Sequence, residues 1–305
     1  MNNNKSKKLK TILMSGGTGL IGKRFIESYN KEYNFIVISR FKQNKNQEKN
    51  IQYITWNTFI EKKIEFIEQS DIIINLAGAS LLKPLTQKNK EKIYTSRIDT
   101  TKLLVNAIEQ ANTKPISLIN ASAIGYYSHV DSKKEFAETA PAGTGFISDL
   151  CKDWESESLK TSIRSSQLRI GLVLDADKGF LNTLLLPFNM FLGGHLGNGN
   201  QSCPWIHIKD VVAIIRHIIE TESISGAVNL VSPHQCSLKI FCQTLGMHIR
   251  RPSWLHPPDF IIKLLFRELA PSLLNTPFIK AEKLINHNYK FIYSDLNEAL
   301  KEILT

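Results

Sequence analysis

The chain has 305 residues, 42% hydrophobic and 22% charged, which indicates a folded globular protein large enough for one large and one small lobe. Its formal net charge of +10 comes from lysines scattered without stacked aromatic residues, which favours ordinary solvation over a nucleic-acid surface, an anionic lipid or a phosphorylated ligand. Four cysteines without CxxC spacing or a partnering histidine pair argue against a zinc site and a disulfide framework, and we expect no metal.

The first apolar run of the chain is short. It covers residues 11–15, whereas a secretory signal needs an apolar region of ~7–15 residues and a membrane span needs ~20. Together with reduced thiols, this predicts a cytoplasmic protein with neither nucleic acid nor membrane as a partner.

From residue 11 onward, short apolar runs alternate with longer helical stretches, which is typical of βαβ units around a parallel sheet. The apolar runs are nearly continuous, as expected for strands covered on both faces. The predicted strands cover residues 11–15, 34–39, 51–55, 71–77, 116–122 and 167–174, and the predicted helices cover residues 20–30, 88–111 and 145–161. We therefore predict an α/β fold with a Rossmann-type doubly wound parallel sheet.

Beyond residue 174 the rhythm changes. The pattern predicts helices over 181–191, 210–220, 241–246, 257–270 and 295–304, a glycine-rich loop over 193–199, and a last sheet strand over 227–232. We predict a dinucleotide-binding domain over 1–175, completed by about 206–232, and a smaller, mainly helical lobe from 176–205 and 233–305. The apolar stretch 260–274 suits packing within this lobe or at a subunit contact better than an interfacial membrane helix. We expect a monomer or a homodimer.

The strongest local motif is SGGTGLIGKRF, in which Gly16, Gly19 and Gly22 follow the first strand and open the first helix. Glycines permit a sharp turn and close approach of a pyrophosphate, and the helix start directs free N–H groups at the phosphates. A tight turn without any ligand is the alternative. In this context the motif predicts a dinucleotide site.

The residue pair Ser39-Arg40 stands about 20 positions later, where NAD-binding proteins place an acid on the ribose. An arginine there can bind a 2′-phosphate through charge-assisted hydrogen bonds, whereas a carboxylate would repel it. The sequence therefore predicts NADP(H) as the cofactor.

With these motifs, the chain resembles the extended short-chain dehydrogenase/reductases, and within them the epimerase-like subgroup with its own C-terminal domain, sometimes labelled a cell-division inhibitor. The resemblance runs almost end to end. It is carried by SGGTGLIG, NLAGASL, KIYTSRIDTTKLL, NASAIGYY, CKDWE, LRIGLVL and GGHLGNGNQSCPWIHIKD.

The resemblance implies cofactor contacts in three segments and an active-site serine. The implied contacts are Gly16, Thr18, Gly19, Leu20, Ile21 and Gly22 at the pyrophosphate, Ser39 and Arg40 at the 2′-phosphate, and Asn75, Leu76, Ala77 and Gly78 along the adenine ribose and nicotinamide side. Ser122 matches the active-site serine, and Arg97 lies on the helix beneath the site.

The chain departs from the family at its chemical centre. No tyrosine has lysine four residues later, and the two expected positions hold Ile147 and Cys151. A thiol without a nearby cation has no reason to be ionised at neutral pH, so we do not expect Cys151 to act as a nucleophile. The segment TPFI replaces a polar element that the family would place in contact with substrate.

The remaining candidates for proton transfer are Tyr126 and Tyr127, which follow Ser122 at the carboxyl edge of the sheet. Simple packing is the alternative for either tyrosine. Lys83 is a candidate contact for an anionic substrate, or a solvated loop lysine. Gln201 and Trp205 are candidate substrate residues because, together with the glycine loop, they could form a lid; a plain connection without ligand contact is the alternative. His207 is a further candidate, and a hydrogen-bonded structural histidine is the alternative there. We expect Asp210 to cap the helix that follows it.

We thus predict an NADP(H)-dependent oxidoreductase or epimerase that acts on a small, nucleotide-linked or anionic substrate. The alternative is a non-catalytic NADP(H)-binding regulator or scaffold, for example in cell division, which the missing tyrosine and lysine would explain. A charge-driven nucleic-acid or membrane role is the third and least favoured hypothesis.

Overall fold

The computed structural model of the protein describes residues 9–41, 49–81, 84–128, 134–266, 268 and 270–305. Its centre is a sheet of seven parallel strands, which we number in chain order. They are β1 (Lys10–Ser15), β2 (Tyr33–Ser39), β3 (Ile51–Thr55), β4 (Ile72–Asn75), β5 (Ser117–Ala123), β6 (Arg164–Ile170) and β7 (Gly226–Leu230). The spatial order is β3-β2-β1-β4-β5-β6-β7, the doubly wound arrangement, so the predicted fold class is confirmed.

Side chains of each strand alternate between two apolar layers, because successive residues of a strand point to opposite faces. In β1, Ile12 and Met14 join the layer on one face, and Leu13 joins the layer on the other. All three side chains are fully buried, which explains why the apolar runs lack polar interruptions.

Helices cover both faces of the sheet and build the C-terminal part of the chain. They are α1 (Leu20–Tyr29), α2 (Trp56–Glu61), α3 (Lys63–Glu68), α4 (Gln87–Gln110), α5 (Phe146–Ser158), α6 (Phe180–Asn189), α7 (Ile208–Glu220), α8 (Leu238–Ile249), α9 (Asp259–Phe266), α10 (Ala270–Leu274), α11 (Glu282–Asn286) and α12 (Leu296–Leu304). The sequence pattern does not predict the short α2 and α3, whereas α9 lies within the helical stretch predicted over 257–270. No described helix is both long enough and apolar enough to cross a membrane.

The strand predicted over 167–174 is divided at Gly171. There β6 ends at Ile170, and the segment Leu172–Leu174 leaves the sheet to pair in parallel with Trp205–His207. A Cβ atom at Gly171 would lie 2.4 Å from the Pro204 carbonyl oxygen, so only glycine fits at this division. After Gly171 the chain leaves the sheet and joins a third apolar cluster, which contains Trp205.

The start of α7 corrects the capping prediction. His207, not Asp210, is the N-cap, and its Nδ1 accepts a hydrogen bond from the Lys209 amide at 3.1 Å. Asp210 is fully buried and accepts hydrogen bonds from the amides of Ile292 (2.7 Å) and Tyr293 (2.9 Å). It therefore anchors the C-terminal segment to α7. The domain boundaries given above stay a prediction.

Candidate functional site

The glycine loop between β1 and α1 is held against the end of β4. Gly16 has a φ of +74°, and a Cβ there would lie 2.5 Å from the carbonyl carbon of Leu76. A Cβ on Gly22 would lie 2.5 Å from the Cα of Gly17, and the Gly19 amide donates to the Gly16 carbonyl at 2.9 Å. Side chains are therefore excluded at Gly16 and Gly22 by backbone atoms, and the loop brings its own backbone to the sheet edge.

The amino end of α1 is open to an anion. Its N-cap is Gly19, and among the described residues no side chain caps it and no acidic residue stands in its first turn. The first N–H groups of a helix have no intrahelical acceptor and lie at the positive end of its dipole. They are therefore available to a phosphate. Thr18 and Gly19 are exposed there, and Leu20 and Ile21 are half-buried.

A cavity of about 380 Å³ lies along this edge of the sheet. It is lined by residues of the glycine loop, of the ends of β4, β5 and β6, and of the segment before α6: Gly16, Gly19, Leu20, Ile21, Gly22, Leu76, Ala121, Ile170, Gly171, Leu172, Val173, Gly179 and Phe180. Five of the predicted pyrophosphate-contact residues thus share one cavity with Leu76.

Arg40 flanks the glycine loop at the end of β2. Ile38 pairs with Ser15, which places Arg40 just beyond the edge where the loop leaves β1. The Arg40 side chain is exposed and forms no ion pair within the described part of the chain, so its guanidinium is available to a ligand. The neighbouring Ser39 is buried, and its hydroxyl donates to the Phe41 carbonyl at 2.5 Å, so its side chain stabilises the turn that follows β2.

Asn75 connects the strands beneath the cavity. Its Nδ2 donates to Asn120 Oδ1 (2.7 Å) and Thr101 Oγ1 (2.9 Å), and its Oδ1 accepts from the Ser15 hydroxyl (2.5 Å) and the Ala77 amide (3.3 Å). The side chain is fully buried. Asn75 therefore fixes the sheet edge from below, while Leu76 and Ala77 are half-buried and Gly78 is exposed.

Ser122 belongs to a buried charged network at the end of β5. Its hydroxyl donates to Glu155 Oε1 at 2.6 Å, and Glu155 receives two further hydrogen bonds of 2.8 Å from Arg169 Nε and Nη2. The Arg169 and Glu155 side chains are only 4% and 8% exposed. The bidentate pair thus fixes the rotamer of Ser122 and leaves its oxygen lone pairs to accept a hydrogen bond.

The two candidate tyrosines occupy different environments. Tyr127 is fully buried, its hydroxyl accepts from Arg169 Nη1 at 2.6 Å and lies 3.0 Å from Asn229 Oδ1, and burial raises its pKa to about 12. That enclosure suits a structural role rather than proton exchange with a ligand. Tyr126 is half-buried, with its ring centroid 3.5 Å from the Arg169 guanidinium carbon.

The positions of the missing tyrosine and lysine are filled by apolar contacts on α5. The Ile147 side chain packs so closely on Gly125 that a Cβ on this glycine would lie 2.5 Å from Ile147 Cγ2. Cys151 is buried, and burial raises the pKa of its thiol to about 12. Neither position holds a group that can exchange a proton near neutral pH.

The candidate substrate residues do not gather at the cavity. Lys83 lies outside the described residues. Trp205 and His207 are fully buried in the C-terminal part, and His207 Nε2 is 2.8 Å from Glu302 Oε2. Gln201 is buried and donates from Nε2 to the carbonyls of Leu196 (3.1 Å) and Leu273 (3.2 Å), so it ties down the glycine-rich loop. These placements are those of packing and anchoring groups.

Comparison with known proteins places this geometry in a family. The profile of the NAD dependent epimerase/dehydratase family matches residues 12–152, and that of a domain of unknown function, DUF1731, matches residues 257–303. Epimerase family protein YfhF of Bacillus subtilis is 30% identical over 296 residues, which cover 96% of this chain and 97% of that protein. The chain belongs to the epimerase family. The resemblance drawn from its motifs is therefore confirmed.

Other epimerase family members match over the same length. Epimerase family protein SAOUHSC_00792 of Staphylococcus aureus is 32% identical over 304 residues, covering 97% of this chain and 99% of that protein. The solved structure of human epimerase family protein SDR39U1 (isoform 2) with NADPH superposes with a TM-score of 0.87 at 29% identity, covering 96% of this chain and 98% of that chain.

One residue at the site of this epimerase family chain was noted in the sequence without a role. Arg97, on α4, is only 8% exposed, and its Nη1 donates to the carbonyls of Ala79 and Ile93, both at 3.1 Å. It forms no ion pair with any acid in the described ranges. The available signal in the sequence is an arginine within the helix predicted over 88–111, which follows the NLAG segment (residues 75–78). The burial of this arginine cannot be inferred from the sequence.

Proposed function

We propose that the chain binds NADP(H), with the pyrophosphate on the amino end of α1 and the 2′-phosphate at Arg40. The open, uncapped start of α1 beside the Gly16 turn is the observation that carries this proposal. The free guanidinium of Arg40 supplies the preference for the phosphorylated coenzyme. A human relative 29% identical to this chain, solved with NADPH, supports the same assignment.

The cofactor preference is tested by Arg40→Asp. Loss of a charge-assisted contact of ~1.5–3 kcal/mol predicts that NADPH affinity falls by about 10- to 100-fold, while NADH affinity changes little. The matched control is Lys10→Asp, which changes net charge equally at the exposed amino end of β1, the opposite edge of the sheet. Equal losses in both variants would show that the effect comes from overall charge and not from a contact at Arg40.

We further propose that the chain exchanges hydride between NADP(H) and a small carbonyl or alcohol substrate. The bound nicotinamide would supply the hydride chemistry. Ser122, held by Glu155, is positioned to accept a hydrogen bond from a substrate hydroxyl, and the half-buried Tyr126 hydroxyl is the remaining candidate to exchange a proton.

Turnover tests this step. Nicotinamide absorbance is followed against a broad panel of carbonyls and alcohols, with Ser122→Ala and Tyr126→Phe compared against Tyr94→Phe, an exposed tyrosine that bonds Asp153 instead. The proposal predicts activity in the wild type and in Tyr94→Phe, a loss of roughly 10²–10⁴-fold in Tyr126→Phe, which removes the proton donor, and a smaller loss in Ser122→Ala, which removes one hydrogen bond. Tight NADPH binding with no turnover across the panel would overturn the hydride proposal and leave the cofactor proposal standing.

Tight NADPH binding without turnover is the outcome that a competing proposal predicts, namely that the chain is a non-catalytic NADP(H)-binding regulator. The filled positions at Ile147 and Cys151 favour it, because neither group can exchange a proton near neutral pH. Transfer of deuterium from labelled NADPH into any product would exclude it.

A further inference from the structure

Arg97 carries a buried positive charge with no negative partner in the described part of the chain. Its side chain is 92% buried, and burial lowers its pKa from the ordinary value. Arginines are almost never fully buried unless they are paired, because desolvating the charge costs several kcal/mol. Arg169, at the same edge of the sheet, obeys this rule through its bidentate contact with Glu155.

The hydrogen bonds of Arg97 use one side of the guanidinium. Both carbonyl contacts, to Ala79 and Ile93, are made by Nη1. Within the described residues, Nε and Nη2 have no acceptor. These two nitrogens form one edge of the planar group, with the spacing that matches two oxygens of a carboxylate or a phosphate.

The guanidinium is held rigidly between an aromatic ring and a glycine. The Trp154 ring centroid lies 5.1 Å from Cζ, and the Trp154 Nε1 donates to Thr101 Oγ1 at 2.9 Å, which fixes the ring. On exposed Gly78, a Cβ would lie 3.0 Å from Cζ and 3.1 Å from Nη2. Gly78 therefore lies close against the guanidinium, where a side chain would crowd Cζ and Nη2.

Arg97 also lies close to the candidate reaction centre. Its guanidinium contacts the ring of Trp154 on α5, and the next residue of that helix, Glu155, accepts the Ser122 hydroxyl at 2.6 Å. An oxyanion held by Arg97 would thus lie on the side of α5 where the partner of Ser122 is anchored, near the end of β5. This oxyanion site would be separate from the amino end of α1, which is suited to the pyrophosphate of the cofactor.

We propose that Arg97 binds an oxyanion of the substrate, a carboxylate or a phosphate ester, through Nε and Nη2. This deepens the proposed function, on which it rests, by assigning the substrate to the class of small organic anions whose carbonyl or carbinol lies beside Ser122. Arg97 is a binding residue in this proposal and takes no part in proton transfer.

The test uses the full chain loaded with NADP⁺ and measures the thermal unfolding midpoint at constant ionic strength. The probes are malonate and oxalate for the carboxylate, methyl phosphate for the phosphate ester, and malonamide as the neutral counterpart. At saturating NADP⁺, one anionic class should raise the midpoint of the wild type while malonamide does not, because a ligand that binds only the folded state stabilises it. The class that acts identifies the source of the oxyanion.

Variants assign the effect to Arg97. Arg97→Gln should weaken binding of the effective anion by about 10- to 100-fold, and Arg97→Lys, which keeps the charge but loses the two-nitrogen edge, should weaken it less. The control is Arg164→Gln, which removes a half-buried arginine bound to the carbonyls of Ile218, Thr221 and Ile224 at the opposite edge of the sheet and should leave binding unchanged. If Arg97→Gln fails to fold, Arg97→Lys against Arg164→Gln decides.

Three results would overturn the inference: no anion-specific shift in the wild type, an unchanged shift in the Arg97 variants, or an equal loss of NADP⁺ affinity in them, which would make Arg97 a cofactor contact. Failure of the wild type to bind NADP⁺ would instead overturn the proposed function, so the two failures are distinguishable.

Discussion

The buried pair of Glu155 and Arg169 gives the strongest stability prediction. Both side chains are nearly inaccessible, and Arg169 donates two hydrogen bonds of 2.8 Å to the carboxylate. Glu155→Gln keeps the shape but leaves the guanidinium without a negative partner, and its amide would face arginine donors. Removing one partner of a buried pair costs about 3–5 kcal/mol, so we expect the free energy of unfolding in urea to fall by that amount.

The comparison variants separate the buried pair from a general charge effect. Glu135→Gln breaks an exposed ion pair with Lys280, in which both side chains are 57% exposed, and should leave the urea midpoint unchanged within error. The double variant Glu155→Gln/Arg169→Met removes the uncompensated charge and should recover part of the loss. A loss below about 1 kcal/mol for Glu155→Gln would refute the reasoning, since that is the range of exposed pairs.

Three further predictions follow from single positions. Gly16→Ala forces a Cβ to within 2.5 Å of the Leu76 backbone at positive φ, so it should cost about 1–3 kcal/mol or more and weaken NADPH binding in a titration, whereas Gly226→Ala, with φ +69° and no backbone contact, should leave NADPH binding intact. Burial lowers the pKa of His207, so the unfolded chain binds a proton at a higher pH than the folded chain does. The contribution of His207 to the free energy of unfolding should therefore be complete above about pH 6.5 and be lost as the pH falls below that value. In urea unfolding between about pH 5 and 8, His207→Asn should make this free energy less dependent on pH. Because burial raises the pKa of Cys151 to about 12, iodoacetamide at about pH 8 should label it only in urea, and mass spectrometry showing rapid labelling of the native protein would contradict its burial.

The sheet was predictable because its determinants are local. Runs such as residues 11–15 and 34–39 are apolar on both faces, and glycine spacing places the turn that follows β1. The division at Gly171 was not predictable, because it depends on the carbonyls of Pro204 and Leu230, which are far away in the sequence. The local pattern LRIGLVL (residues 168–174) is equally typical of one continuous strand.

The same distinction applies to the candidate site. Gly16 and Gly22 are constrained by backbone atoms of the motif and its neighbouring strand, so their spacing was informative. The environments of Tyr127 and His207 were not, because the first depends on Arg169 and Asn229 and the second on Glu302. Sequence proximity to Ser122 made Tyr126 and Tyr127 look equivalent, whereas only the fold shows that one hydroxyl is enclosed.

Titration of the purified chain with NADPH and with NADH, followed by calorimetry at one ionic strength, tests the central claim most directly. With the 2′-phosphate held by Arg40, NADPH should bind at least about tenfold more tightly than NADH. Equal affinities, or no binding of either coenzyme, would contradict the account.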